Sequence, residues 1–336
     1  MMKKVLALVL VLMLVFALGA CGGAAPAPTS DVSVTMITDT GGLGDQSFND
    51  SAWAGLEKAK AEFGVATNVL ESQTADDYTA NLSASAAENP ALIISVGFLM
   101  AEATGAAAAQ FPDQKFAIID STVDAPNVTG LTFKEHEGSF LVGVIAGITT
   151  KTNKVGFVGG MQFPLIEKFE YGFKAGVKSV NPAAEVLVNY TGVFDNPALG
   201  KEAALAQAQQ GADVVFHASG ACGIGVIEAA GEQGFWAIGV DMDQSALNPK
   251  AVLCSMVKRV DNATYLVTKS VVEGTFDGKN IEFGLAVDGV GYSDDAGNVP
   301  AEVAAKADAY KAAIIDGTIM VPADKATFDA FVPTVL

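Results

Sequence analysis

Short apolar runs alternate with alanine-rich amphipathic segments along most of the chain. The runs have the length of buried strands and cover residues 32–37, 65–70, 91–96, 116–119, 128–133, 155–158, 184–188, 214–216, 236–240, 252–256 and 281–287. The segments between them include the predicted helices 52–63, 78–88, 100–110 and 201–210. Hydrophobic strands that alternate with helices predict an α/β fold whose parallel sheets are covered on both faces. So many strands exceed one compact doubly wound sheet, and we therefore predict two lobes.

The pattern restarts near residue 137. Residues 154–160 lead into a helix predicted over 163–180, much as the stretch beginning at Val34, VTMITDTGGLGDQSFNDSAWAG, passes from a strand through a Gly-rich turn into a helix. Ser47 is the predicted N-cap of that first helix. Ligands of open α/β sheets bind outside the carboxyl ends of the strands. The turn, which carries Asp39, Phe48 and Asn49, is therefore predicted to contact a ligand.

Several segments together resemble the basic membrane protein (BMP) family of purine-nucleoside-binding lipoproteins, which feed ABC importers. Besides the stretch from Val34, these segments are GFVGGMQFP, FEYGFKAGVKSVNP, VFDNPALGKEAA, GVDMDQ and SMVKRV. The resemblance implies a type I periplasmic-binding-protein fold, in which two doubly wound parallel-sheet lobes are joined by three hinge crossings. We expect the crossings near residues 134–137, 258–261 and 285–291. Residues 31–135 plus about 261–287 would then form the first lobe, and residues 136–258 plus about 290–336 the second.

The N-terminus has the features of a lipoprotein signal peptide over residues 1–20. Two lysines precede a short apolar core, and small residues precede Cys21. The apolar core is shorter than the roughly 20 residues that a membrane-spanning helix needs. We therefore predict that Cys21 is lipidated, that residues 21–30 form a flexible tether, and that the folded part lies at the extracytoplasmic face of the cell membrane.

Composition narrows the choice of ligand. The formal net charge of −18 disfavours nucleic acid and anionic lipid surfaces. Arg259 is the only arginine, whereas phosphate and carboxylate ligands are usually held by guanidinium groups. A neutral ligand therefore fits better. Two histidines and the spacing of Cys222 and Cys254 give no zinc pattern, so we predict neither a metal site nor a cofactor. The two cysteines are compatible with a disulfide or with two buried free thiols.

Four charged residues follow predicted strands, namely Asp39, Asp120, Asp241 and Lys258. Parallel strands direct these ends toward the cleft, and carboxylates suit ligands rich in O–H and N–H donors. As the resemblance implies, Asp241 and Lys258 are assigned to the ribose hydroxyls of a nucleoside. Asp120 and Asn49 would read the base edge, and Asp39 would contact the base or shape the loop.

Phe48 and Phe194 are the predicted stacking surfaces for a base, because both lie in turns after predicted strands. Phe163, Phe169 and Phe173 fall on one helical face and are predicted to be core. Gly220 follows a strand and opens a helix, where backbone N–H groups can approach a ligand. The family more often reads GGTGNG here, and the residues at positions 221 and 222 depart from it. This departure leaves the base selectivity open.

The leading hypothesis is a receptor that captures a purine nucleoside (guanosine, inosine or adenosine) and delivers it to an ABC permease. A second hypothesis replaces the nucleoside by a free sugar or another neutral polyol. A third is an extracellular nucleoside hydrolase with Asp39, Asp45 and Asp241 around a metal. Ser219 lies close to His217, but no Gly-x-Ser-x-Gly elbow surrounds it. We therefore predict that the protein is not an enzyme.

Overall fold

The computed structural model describes residues 30–336, and within them twelve strands form two six-stranded sheets. In chain order the strands are β1 (Ser33–Ile37), β2 (Ala66–Leu70), β3 (Leu92–Val96), β4 (Phe116–Ile119), β5 (Val128–Phe133), β6 (Lys154–Gly159), β7 (Glu185–Tyr190), β8 (Val214–Ala218), β9 (Trp236–Asp241), β10 (Val252–Lys258), β11 (Ile281–Phe283) and β12 (Val290–Ser293). The predicted signal peptide, tether and lipidated Cys21 lie outside the described residues, apart from Ser30.

The two sheets have the same internal order. The first is β11-β5-β4-β3-β1-β2 and the second is β12-β10-β9-β8-β6-β7. All neighbouring strands are parallel except β12, which runs antiparallel to β10. Residues such as Ile93 and Ile94 of β3 are fully buried on successive faces, as expected for strands covered by helices on both sides. The predicted α/β fold class is confirmed.

Helices cover both sheets. They are α1 (Phe48–Phe63), α2 (Asp77–Ala87), α3 (Ala101–Gln110), α4 (Glu135–Thr149), α5 (Pro164–Val180), α6 (Pro197–Gln209), α7 (Cys222–Gln233), α8 (Val260–Val272), α9 (Ala301–Ile315) and α10 (Lys325–Asp329). Helix α8 packs on α1, so it belongs with the first sheet. Helices α4, α5 and α9 pack together beside the second sheet. Each sheet with its helices is called a lobe below.

The chain passes three times between the lobes within residues 30–336. It passes between β5 and α4, between β10 and α8, and between β11 and β12. The three crossings are hydrogen-bonded to one another: Lys134 N–H donates to the carbonyl of Phe283, and Arg259 N–H donates to the carbonyl of Gly289, both at 2.9 Å. These bonds place the crossings side by side, as a hinge requires.

The apolar pattern misleads at one place, residues 281–287. Strand β11 ends at Phe283, a short 3₁₀ helix covers Leu285–Val287, and β12 follows over Val290–Ser293. The strand β12 lies at the edge of its sheet and enters directly from the hinge. The chain enters β12 from the hinge, beside the end at which β10 leaves the sheet, with Val290 paired to Lys258; β12 therefore runs antiparallel to β10.

Two further features bear on the chemistry of the fold. Cys222 and Cys254 are buried free thiols, which decides between the two alternatives left by the sequence. Among residues 30–336, no helix combines the length and the apolar character needed to cross a bilayer.

Candidate functional site

The carboxyl ends of strands from both sheets meet at a cleft between the lobes. The cleft and its opening to solvent together hold about 540 Å³ of empty space. Every residue predicted from the sequence to contact the ligand lines this cleft: Asp39, Phe48, Asn49, Asp120, Phe194, Gly220, Asp241 and Lys258. The structure therefore brings together residues from both lobes that are up to 219 positions apart in the chain (258 − 39).

The turn before α1 is organised by two carboxylates. Asp45 accepts hydrogen bonds from the backbone N–H groups of Ser47, Asn49 and Asp50 at 2.8–3.1 Å. Asp39 accepts from Gly41 N–H at 2.9 Å. Asp45 thus satisfies the free N–H groups at the start of α1. Its oxygens are engaged there rather than offered to a ligand.

Asn49 bridges these two carboxylates. Its side-chain nitrogen donates to Asp39 at 2.8 Å and to Asp45 at 3.0 Å. Both amide hydrogens are therefore used, and the amide oxygen is left as an acceptor. Within residues 30–336, Asn49 Oδ1 and Asp120 Oδ1 are buried without a hydrogen-bond partner. Such orphaned acceptors are costly, and donors on a ligand would satisfy them.

Ser47 has a different role from the one predicted. It precedes the first residue of α1, but its hydroxyl makes no capping bond. The hydroxyl instead donates to Asp241 Oδ2 across the cleft. The predicted capping role is wrong because Asp45 already caps this helix, which frees Ser47 to join the first lobe to the second.

Lys258 carries the buried positive charge of the site. Its ammonium lies 2.6 Å from Asp120 Oδ2 and 3.3 Å from Glu135 Oε1. Its side chain is 2% exposed, and the nitrogen lies about 5 Å from the ring centroids of Phe48 and Phe133. Burial opposes this charge, but the neighbouring carboxylates outweigh burial and raise the pKa of Lys258 above its usual range.

Glu135 was missed by sequence reasoning. It is fully buried, and its second oxygen accepts from the ammonium of Lys168 at 3.1 Å. It comes two residues after β5, so the rule that found the other strand-end charges also points to it.

Burial raises the pKa values of the cleft carboxyls. It raises the pKa of Asp39 to about 6 and that of Asp241 to about 7, although Asn49 and Lys258 respectively oppose the shift. Burial also raises the pKa of Asp120 against the pull of Lys258. The cleft therefore holds more carboxylates than one ammonium can neutralise, and donors from a ligand would stabilise their ionised forms.

Asp120 and Asp241 occupy matching places in the two lobes. Asp120 directly follows β4, and Asp241 is the last residue of β9. These two strands hold the same position in their sheets, whose strand orders are identical. Both have a φ of +67°, a left-handed conformation in which non-glycine residues are uncommon. The two lobes thus present one carboxylate each to the cleft from the same kind of strained strand end.

Aromatic rings line the cleft from both lobes. Phe98 of the first lobe stacks on Phe163 of the second, with centroids 4.7 Å apart, and meets Phe194 edge-on at 6.3 Å. Phe163 is 47% exposed and precedes α5. The prediction that it is core is therefore wrong. Phe169 is buried but lines the cleft as well.

The turn after β8 supplies Ser219 and Gly220. Gly220 has a φ of +56°, and Ser219 lines the cleft while its hydroxyl lies 3.4 Å from His217 Nδ1. His217 is fully buried, and burial lowers its pKa to about 4. Within residues 30–336, no group of three or more His, Cys, Asp or Glu side chains is arranged to hold a metal ion.

Comparisons with known proteins agree on one family. The family model for Bmp, the PnrA-like ABC transporter substrate-binding proteins, matches residues 32–325. The chain is 40% identical to the CD4+ T-cell-stimulating antigen of Listeria monocytogenes, over 91% of this chain and 94% of that protein. It is 36% identical to the ABC transporter nucleoside-binding protein BmpA of Lactococcus lactis, over 87% of this chain and 90% of the relative.

A solved structure has the same architecture. The ABC transporter solute-binding protein from Aeropyrum pernix superposes with a TM-score of 0.81 at 32% identity, covering 89% of this chain and 96% of that one. The likeness extends over both lobes and therefore includes the cleft.

Proposed function

Since the chain belongs to the Bmp family of PnrA-like ABC transporter substrate-binding proteins, we propose that it captures a purine nucleoside in the interlobe cleft and delivers it to an ABC permease. Lipidation of Cys21 would hold it at the extracytoplasmic face of the cell membrane. The lobes would close over the ligand by motion at the three crossings. A substrate-binding role needs no chemistry on the ligand.

The observation that carries this proposal is the excess of buried acceptors between aromatic rings. Asp39, Asp120 and Asp241, together with the unpaired oxygen of Asn49, offer lone pairs but few donors. A nucleoside supplies ribose hydroxyls and base N–H groups as donors, and a flat base that can stack on a phenylalanine. We assign the ribose to Asp241 and Lys258 and the base edge to Asp120 and Asn49.

The single arginine supports a ligand without phosphate. Arg259 lies at the hinge, where its guanidinium makes two hydrogen bonds to Asp261 at 2.8 and 2.9 Å. No arginine lines the cleft. A nucleotide would therefore bring a phosphate against carboxylates with only Lys258 to offset it.

Calorimetry with guanosine, inosine and adenosine tests the proposal. We expect at least one to bind with a Kd at or below the micromolar range, and ribose or galactose not to displace it. Binding of a free sugar with equal affinity would favour the polyol hypothesis. Absence of binding by all three nucleosides would remove the nucleoside assignment, and release of free base from inosine would overturn the non-enzymatic role.

Affinity should also depend on pH. Hydroxyls that donate to Asp241 stabilise its ionised form, so binding lowers a pKa that is about 7 in the ligand-free protein. Affinity should therefore be nearly constant above pH 7 and fall by up to about tenfold per pH unit below it. Asp39 reinforces the fall below about pH 6. Titrations with inosine at pH 7.5 and 5.5 measure this, and Asp241→Asn should flatten the profile. A wild-type affinity that rises on acidification would contradict the assignment.

A further inference from the structure

A chain of hydrogen bonds, called the relay below, runs from the cleft through the second lobe to the first. Ser219 Oγ lies 3.4 Å from His217 Nδ1, His217 Nε2 lies 2.8 Å from Gln244 Oε1, and Gln244 Nε2 lies 2.8 Å from the carbonyl oxygen of Gln46. The three side chains are buried, at most 2% exposed. Only the Ser219 end lines the cleft.

The relay has one possible direction. The carbonyl of Gln46 can only accept, so the nitrogen of Gln244 donates to it. The oxygen of Gln244 also accepts from the backbone N–H of Val240 at 2.9 Å, which fixes the amide orientation from both ends. His217 Nε2 must then carry the hydrogen. Because the imidazole is neutral, Nδ1 has none and accepts from the hydroxyl of Ser219.

The backbone is built around these side chains. A Cβ at position 223 would lie 1.8 Å from His217 Cε1, and a Cβ at position 239 would lie 2.7 Å from Gln244 Oε1. Only glycine at Gly223 and Gly239 leaves room for the ring and the amide. Ser255 also fixes the position of Gln244, since its hydroxyl accepts a hydrogen bond from the backbone N–H of Gln244 at 3.0 Å.

The direction of the relay determines what Ser219 offers to a ligand. Its single hydrogen points away from the cleft, toward His217, and its remaining lone pairs are left for the cleft. Hydrogen bonds that all point one way polarise one another, so this oxygen is a strengthened acceptor. A serine free to rotate would accept or donate equally well. While the Ser219 hydroxyl donates to His217, it can only accept from a ligand.

We propose that Ser219 is a specificity-determining residue, which the relay holds as an obligate acceptor for an O–H donor on the ligand. This inference rests on the proposed nucleoside-binding function. Ser219 follows β8, beside the β9 strand that ends at Asp241. The donor is therefore a ribose hydroxyl that Asp241 does not bind. The last acceptor, Gln46, belongs to the first lobe, so its contact with Gln244 adds a bond between the lobes to an amide orientation that Val240 already fixes within the second lobe.

The tautomer of His217 tests the relay directly. The chain has only two histidines, so protein labelled with ¹⁵N-histidine gives two sets of imidazole signals, and His136→Gln assigns them. We expect His217 to be neutral with its hydrogen on Nε2 in the nucleoside complex. A hydrogen on Nδ1 in that complex would overturn the relay. If no nucleoside binds, the proposed function fails, and the tautomer in the ligand-free protein still decides the relay in the same way.

Deoxynucleosides test the acceptor. Ser219→Ala should weaken inosine about 3- to 10-fold, the value of one neutral hydrogen bond. It should have no effect on the affinity of one of the three analogues 2′-, 3′- or 5′-deoxyinosine, namely the one lacking the hydroxyl that Ser219 accepts from. Ser95→Ala is the matched control, because that buried hydroxyl bonds to Thr104 away from the cleft. An equal loss with inosine and all three analogues would assign Ser219 a merely structural role.

Discussion

Affinity for the nucleoside should fall about tenfold to several hundredfold when Asp241 is replaced by alanine. The substitution removes a buried carboxylate that accepts from ligand hydroxyls, and it leaves those donors unpaired. Each such loss costs about 1–3 kcal/mol, more where a charge is involved, and 1.4 kcal/mol corresponds to about tenfold in Kd. The hydroxyl of Ser47 also loses its acceptor, which removes one hydrogen bond between the lobes. Calorimetry of the variant with inosine measures the loss.

Asp243→Ala is the matched control, two residues further along the same segment. Asp243 does not line the interlobe cleft. Its carboxylate accepts from the hydroxyl of Ser293 and from the N–H groups of Ser245 and Asp295. The affinity of this variant should change little. Equal losses at both positions would show that the effect comes from the strand end as a whole rather than from contact with the ligand.

A stability measurement separates loss of contact from misfolding. Burial raises the pKa of Asp241 from 3.8 to about 7. A carboxyl whose pKa is higher in the folded state contributes stability below about pH 4, and this contribution is lost as the pH rises through 7. Ligand-free Asp241→Asn should therefore melt no lower than wild type at pH 7.5, and its advantage should shrink at pH 5. A lower Tm at pH 7.5 would mean that the charge stabilises the ligand-free fold.

The order of elements follows from the sequence because parallel strands buried on both faces keep unbroken apolar runs. Residues 281–293 are the exception. They contain two short strands that lie at the edges of different sheets, with a hinge crossing between them. An edge strand has a single neighbouring strand and does not need a run of apolar residues of its own. The apolar run in the sequence extends past Phe283, where β11 ends, and therefore does not mark the end of this strand.

The residues of the candidate site could be predicted from the sequence, but the contacts between them could not. Charged residues at strand ends are visible as a pattern, because the strands that precede them are apolar. Which of them meet depends on how the two lobes face each other. The Lys258–Asp120 pair and the Ser47–Asp241 bond join residues 138 and 194 positions apart. Phe163 was misplaced for a related reason, since its partner Phe98 lies in the opposite lobe.

Replacing Lys258 with methionine should destabilise the protein by about 3–5 kcal/mol at pH 7.5, the usual cost of removing one partner from a buried ion pair. Methionine fills a similar volume between the rings of Phe48 and Phe133, so packing changes little. What is lost is the ammonium that lies between the buried carboxylates of Asp120 and Glu135. Urea denaturation of the ligand-free variant and wild type measures the difference in unfolding free energy.

The loss should depend on pH, and this dependence identifies its cause. Without the ammonium, the pKa of Asp120, already raised by burial, rises further. A carboxyl with a raised folded pKa loses its contribution to stability as the pH rises through that value, so the deficit of Lys258→Met should be small at pH 5 and grow toward pH 7.5. Lys168→Met is the matched control, since that ammonium also contacts the buried Glu135 but is itself 29% exposed; its deficit should be smaller, because water solvates part of the ammonium and Lys258 still pairs with Glu135. A deficit that is the same at both pH values would indicate that Lys258 stabilises the fold through packing rather than through its charge.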